Sequence, residues 1–200
     1  MTLTDVREKW NRRWKEEDVP EDAGRIEPNP LVVRLLPLLR GRTMLDAACG
    51  MGRGLAALVD RYEIIYAVDL SDAAVGIASR IWKKHSNIRW VKADVKNLAW
   101  PRNGLDLVCA FGFTDWDFFK MIPGIISPGG MFLYQGFSKR QLEVRENLDP
   151  DWTSSQEEME ALFSGWEYLV SEESVEPPYR VSFAARKPVT PENKEEAHAL

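Results

Sequence analysis

Between Leu31 and Phe137, short apolar runs alternate with segments whose apolar positions recur at helical spacing. That alternation predicts right-handed βαβ units around a parallel sheet. The predicted strands hold Leu45-Asp46, Ile64–Val68, a run closing on Val91-Lys92-Ala93-Asp94, then Leu105–Phe111 and Met131–Phe137. A helical run from Leu55 to Arg61 separates the first two. Asn29 before Pro30 starts a helix, with asparagine as the cap and proline in the first turn, and Ser71 caps another before Asp72. Ser138 to Trp152 is a long connection leading to a helix near Ser154 or Ser155. Two strands follow, Trp166–Ser171 and Val181–Arg186, with a Pro- and Glu-rich stretch between them. At the front, a charged helix sets Trp10 and Trp14 four apart, hence on one face.

The first strand runs into Ala47-Ala48-Cys49-Gly50-Met51-Gly52-Arg53-Gly54, a turn on three alternating glycines. A strand, a glycine-rich bend and a helix in succession bring bare backbone up to a ligand. The second strand ends in Asp69, an acid placed to accept hydrogen bonds from both hydroxyls of a ribose. A nucleoside cofactor across the first two strands follows. A dinucleotide site wants G-x-G-x-x-G, but the third position of that pattern is Leu55 here, which disfavours a nicotinamide cofactor. S-adenosylmethionine is preferred: its ammonium suits Asp46 in the first strand, and Asp94 suits an adenine amino group. The candidate cofactor-binding residues are Trp10, Asp46, Ala48, Gly50, Gly52, Asp69, Leu70, Asp94, Val95, Ala110 and Phe111.

In order and spacing, LDAACGMGRG, AVDLS, KADV, DLVCAF and SPGGMFLYQGF resemble a class I S-adenosylmethionine-dependent methyltransferase over roughly Met44 to Lys187. The resemblance implies an α/β, Rossmann-like, doubly wound and mostly parallel seven-stranded sheet with an antiparallel C-terminal strand. One methyltransferase domain over residues 1–187 is expected, and the Pro-, Glu- and Lys-rich composition of 188–200 suits a solvated, mobile tail. Trp10-Asn11-Arg12-Arg13-Trp14 and Pro28-Asn29-Pro30 resemble the start of tellurite-resistance and thiopurine methyltransferases. In those families an N-terminal helix folds over cofactor and substrate, so residues 1–28 are expected to act as a lid.

Length and charge narrow the partners. Two hundred residues suit one core that buries about 70% of the unfolded surface. No apolar run approaches the ~20 residues of a membrane span, and the charged start does not suit a signal peptide. Cys49 and Cys109 suit small core residues in a reducing compartment, so a cytoplasmic location is expected. A net charge of −5 gives no general attraction to nucleic acid. The expected partner is a small-molecule methyl acceptor, with no nucleic acid and no membrane, in a monomer or homodimer.

In an open α/β sheet, ligands lie beyond the carboxyl ends of the strands. His85 falls at the opposite edge and His198 in the tail, so neither suits a base, and no metal site is expected. Asp115 and Trp116, after the fourth strand, are the catalytic candidates; an N-cap role suits Asp115 equally well. Lys139, Arg140, Gln141, Arg145 and Asn147 form a loop able to hold an anion, although loop charges are usually only solvated. A soft sulfur, selenium, tellurium or arsenic nucleophile needs little base assistance and fits the lack of a histidine at this edge. An oxygen or nitrogen acceptor served by an aspartate fits as well. The rival readings are a non-catalytic S-adenosylmethionine-binding subunit and a nicotinamide oxidoreductase.

Overall fold

The computed structural model describes residues 2–189, so the expected tail lies outside the described residues beyond Val189. Its helices are α1 (Leu3–Glu16), α2 (Pro30–Leu35), α3 (Asp72–Ile81), α4 (Trp116–Ile125) and α5 (Gln156–Leu162). Its strands are β1 (Gly41–Ala47), β2 (Tyr62–Asp69), β3 (Ile88–Lys92), β4 (Leu105–Phe111), β5 (Ile126–Ser138), β6 (Thr153–Ser154), β7 (Glu167–Glu173) and β8 (Arg180–Arg186). They hydrogen-bond in the order β3-β2-β1-β4-β5-β8-β7, with β6 beside β5. β1 with β2 and β2 with β3 are parallel, whereas β8 runs antiparallel to both β5 and β7. The expected Rossmann-like, mostly parallel sheet with an antiparallel C-terminal strand is therefore present. Among the described residues the main path holds the seven expected strands, and β6 adds an eighth beside it. The extra one, β6, is only two residues long, too short to leave a period in the sequence.

The described residues form two compact units, 2–99 with Cys109–Phe111, and Trp100–Val108 with 112–189. The first is built on β1 and β2, where Met44, Leu45, Ala47, Ile65, Ala67 and Val68 are all fully buried. α3 presents Ala74, Ile77, Ala78 and Ile81 to this core, at i, i+3, i+4 and i+7. Each larger aliphatic buried this way contributes about 1.5–3 kcal/mol. The Ser71 side chain accepts from Ala74 N and caps α3, as its sequence position predicts.

The expected helix over 55–61 is instead a run of turns. Leu55 N donates to Gly52 O, Leu58 N to Leu55 O and Arg61 N to Leu58 O, each three residues back. Only Val59 N reaches four back, to Leu55 O. Gly52, with φ at +90°, cannot serve as a helical first turn, and buried Leu55, Leu58 and Val59 fix the segment by packing instead.

The second unit centres on β5, whose Met131-Phe132-Leu133-Tyr134 is buried on both faces, as befits a covered strand. Phe132 meets Phe163 at 5.0 Å between ring centroids, and Phe119 meets Tyr134 edge-on at 5.2 Å. After β8, Lys187 Nζ donates to Asn103 Oδ1, Pro123 O and Ile126 O at 2.6–2.8 Å and fastens the strand's end.

Candidate active site

β1 delivers Asp46 to the floor of the glycine turn. The residue is only 2% exposed, and its Oδ2 is buried without a hydrogen-bond partner among the described residues. Burial, and secondarily the charge of Asp69, push its carboxyl up to about 8. A lone buried carboxyl is expensive unless something positive pairs with it.

The turn above it needs each of its glycines. Gly50 and Gly52 have φ of +53° and +90°, conformations that a side chain resists. A Cβ on Gly54 would stand 2.8 and 2.9 Å from the two oxygens of Asp46. Bare backbone at Gly54 is thus what lets the carboxylate sit under the turn. Ala48 also takes a left-handed conformation, with φ at 54°.

Asp69, at the end of β2, clamps the turn from the other side. Its Oδ2 accepts from Gly50 N at 2.9 Å and its Oδ1 from Ser71 N at 2.8 Å. Burial raises its pKa, and those backbone donors oppose the rise. Each oxygen keeps a further lone pair for a ligand hydroxyl. Leu70 beside it is half-buried. Asp94 caps the short 3-10 turn Val95–Asn97, accepting from Lys96 N at 3.2 Å, and Val95 is buried. Ala110 is buried and Phe111 half-buried at the end of β4. Every cofactor-binding candidate from the sequence lies in the first compact unit.

α1 folds over this unit through residues that the candidate set leaves out. The Trp14 ring lies where a Gly50 Cβ would be, 2.6 Å from that position. Asn11 Oδ1 accepts from Ser71 Oγ at 2.7 Å and from Ala73 N at 3.2 Å, tying α1 to the start of α3. Trp10, the candidate named from the sequence, carries the Arg13 guanidinium over its ring at 5.2 Å. The four-residue spacing marks both tryptophans as one face, but nothing in the sequence singles out Asn11. Trp82 was also missed: its Nε1 donates to Met51 O at 2.9 Å and braces the turn.

The second unit holds the two catalytic candidates. Asp115 Oδ1 accepts from Phe118 N at 2.9 Å and caps α4, while Trp116 packs edge-on against Phe119 at 5.8 Å. Thr114 Oγ1, Tyr134 OH and Ser154 Oγ form a buried hydroxyl chain with links of 2.8 and 2.9 Å. Burial raises the Tyr134 pKa, so the phenol stays protonated. His85 lies 3.8 Å from Asp60, among residues outside the candidate set. No cluster of three metal-ligating side chains occurs among the described residues, and no helix there is long and apolar enough to cross a membrane.

Residues 44–130 match the family model of a methyltransferase domain. The malonyl-[acyl-carrier protein] O-methyltransferase of Marinomonas sp. (strain MWYL1) is 29% identical over 115 residues, which cover 54% of this chain and 43% of that protein. The chain thus spans less than half the length of that relative. Among solved structures, N-methyltransferase NodS from Bradyrhizobium japonicum WM9, in complex with S-adenosylhomocysteine, aligns with a TM-score of 0.68 at 15% identity. That alignment covers 90% of this chain and 98% of NodS. A structure described with the conversion of a disulfide bond into a thioacetal group during echinomycin biosynthesis also aligns at 0.68, with 21% identity and coverage of 97% and 98%. The fold is shared with both structures.

Proposed function

We propose that this chain, whose residues 44–130 match a methyltransferase domain, uses S-adenosylmethionine to methylate a small-molecule acceptor. One observation carries the reading. A buried carboxyl with an unpartnered oxygen lies under a glycine turn that has no room for a Cβ. That donor set fits the α-ammonium of an amino-acid tail, and a nicotinamide dinucleotide has no such group. Asp46 holds the ammonium, Asp69 the ribose hydroxyls and Asp94 the adenine amino group. Gly50 and Gly52 shape the turn around the cofactor, Ala48, Leu70, Val95, Ala110 and Phe111 line the remainder, and Trp10 covers it together with Trp14.

When bound, S-adenosylmethionine supplies a methyl group already activated by positive sulfur. The chain's own task is to bind, orient and exclude water. α1 serves the last purpose as a lid hinged on Asn11 and Trp14, in keeping with the tellurite-resistance and thiopurine likeness. Asp115 is engaged as the cap of α4, which favours acceptors that need no base. A soft sulfur, selenium, tellurium or arsenic nucleophile meets that condition. So does a carboxylate oxygen, the kind of acceptor suggested by the name of the Marinomonas relative.

Calorimetric titration with S-adenosylmethionine, S-adenosylhomocysteine and NADH tests the cofactor. Micromolar binding of the two adenosyl ligands, without NADH, is expected; binding of NADH alone overturns the reading. Asp69→Ala should weaken both adenosyl ligands strongly while the fold persists, and unchanged affinity would remove the ribose assignment. Turnover of thiols, metalloid oxyanions or carboxylates then separates an enzyme from a non-catalytic binding subunit.

A further inference from the structure

Three guanidinium groups gather on two aromatic rings at the carboxyl end of β5, within the second unit. Phe137 is paired directly opposite Arg180 across the β5–β8 ladder, and Ser138 N donates to Tyr179 O at 3.0 Å. The chain then turns through the 3-10 segment Lys139–Glu143, where Gln141 is buried and its Oε1 accepts from Tyr179 N at 2.7 Å. That bond pins the loop to the start of β8. It sets the Arg140 guanidinium over the Tyr179 ring at 4.1 Å, while Arg145 and Arg180 lie over Phe137 at 5.5 and 4.9 Å.

A guanidinium held over an aromatic ring has its orientation restrained by the ring, yet its N–H donors lie in its own plane and remain available at the edge. Carboxylates and phosphates are recognised by such edges, often through two parallel hydrogen bonds. Arg140 and Arg145 have no carboxylate within salt-bridge distance among the described residues, although Glu143 and Glu146 belong to the same loop. The neighbouring Lys139 is by contrast already paired with Glu158. Arg140 and Arg145 are both exposed, so their donor edges are open to an anion from solvent. The carboxyl end of a strand is also where an open α/β sheet receives ligands.

We propose that Arg140, Arg145 and Arg180, stacked on Tyr179 and Phe137, form an anion subsite that binds a carboxylate or phosphate of the methyl acceptor. The role as an acceptor subsite rests on the proposed methyl transfer; the binding of an anion does not.

The test uses the full chain, titrated calorimetrically with malonate and separately with inorganic phosphate. Comparison is made with Arg140→Gln, Arg145→Gln, the double variant, and Arg42→Gln as a control on an exposed guanidinium paired with Glu63. Expected is saturable binding of at least one probe, weakened about tenfold by each single substitution and lost in the double variant, with Arg42→Gln unchanged. Malonate alone assigns a carboxylate acceptor, and phosphate alone a phosphorylated one. Arg140→Lys, which keeps the charge but not the fork, should still bind more weakly than the native chain. Thermal unfolding of each variant keeps a folding defect apart from a binding defect. No binding of either probe to the native chain, or equal binding by native chain and double variant, overturns the proposal. S-adenosylhomocysteine affinity is read alongside. If it is retained while anion binding fails, the subsite is wrong and the cofactor reading stands; the converse separates them the other way.

Discussion

Replacing Asp46 by Asn should stabilise the empty protein and weaken its hold on the cofactor, and both effects follow from one buried carboxyl. Its pKa is pushed from 3.8 to about 8, first by burial and then by the charge of Asp69. Below pH 3.8 folded and unfolded chains both carry the neutral acid, and no ionic penalty exists. Between 3.8 and about 8 the unfolded chain is ionised while the folded one is not, so each rise in pH favours unfolding. Above about 8 both are ionised and the penalty is constant. At about 1.4 kcal/mol per pH unit, the full window amounts to about 6 kcal/mol, of which about 4 falls between pH 5 and 8.

Urea unfolding without ligand, at pH 5, 6, 7 and 8, measures this directly. The amide cannot ionise, so its own burial cost adds an offset that does not vary with pH. Native stability should fall relative to Asp46→Asn by about 1.4 kcal/mol per pH unit from pH 5 to pH 7 and level off near pH 8. Asp69, whose pKa is also raised, is present in both proteins, so the difference reports Asp46 together with its interaction with Asp69. S-adenosylhomocysteine should bind the variant about 10- to 100-fold more weakly, the range of one hydrogen bond to a charged group. A stability difference flat from pH 5 to 8 would refute the argument, because Asp46 would then ionise as readily in the fold as in the unfolded chain.

Three further substitutions probe the supports of the site. Gly54→Ala puts a methyl against both Asp46 oxygens, so a loss of about 1–3 kcal/mol in urea unfolding is expected, with cofactor affinity falling as well. Asn11→Ala removes the acceptor of the Ser71 and Ala73 bonds; amide exchange should quicken along α1 and stay unchanged in β1 and β2, at a cost of about 1 kcal/mol. Tyr134→Phe strands the buried hydroxyls of Thr114 and Ser154, and a loss of about 1–3 kcal/mol, read as a lower urea midpoint at constant slope, checks it.

The parts of this protein that were legible in its sequence are those set by neighbours along the chain. Apolar runs located β2, β4 and the core of β5, and local caps located the starts of α2 and α3 at Asn29 and Ser71. The glycine turn and the acids Asp46, Asp69 and Asp94 were legible for the same reason, since a strand end and a bend are local events. What was not legible depends on the third dimension. Trp10 and Trp14 share a helical face, and only the docking of α1 decides that Trp14 covers Gly50. The run after Gly54 has helical spacing, yet buried Leu55, Leu58 and Val59 hold it as turns. Arg140 and Arg145 were visible as loop charges, but pairing of β5 with β8 is needed to bring Arg180 and Tyr179 beside Phe137. Gly54 shows the same limit most sharply. Its sequence position suggests backbone freedom, but its φ lies outside the left-handed region, and its lack of a side chain matters because Asp46 stands directly behind it. The missing side chain leaves the carboxylate room under the turn, in the place proposed above for the ammonium of the ligand.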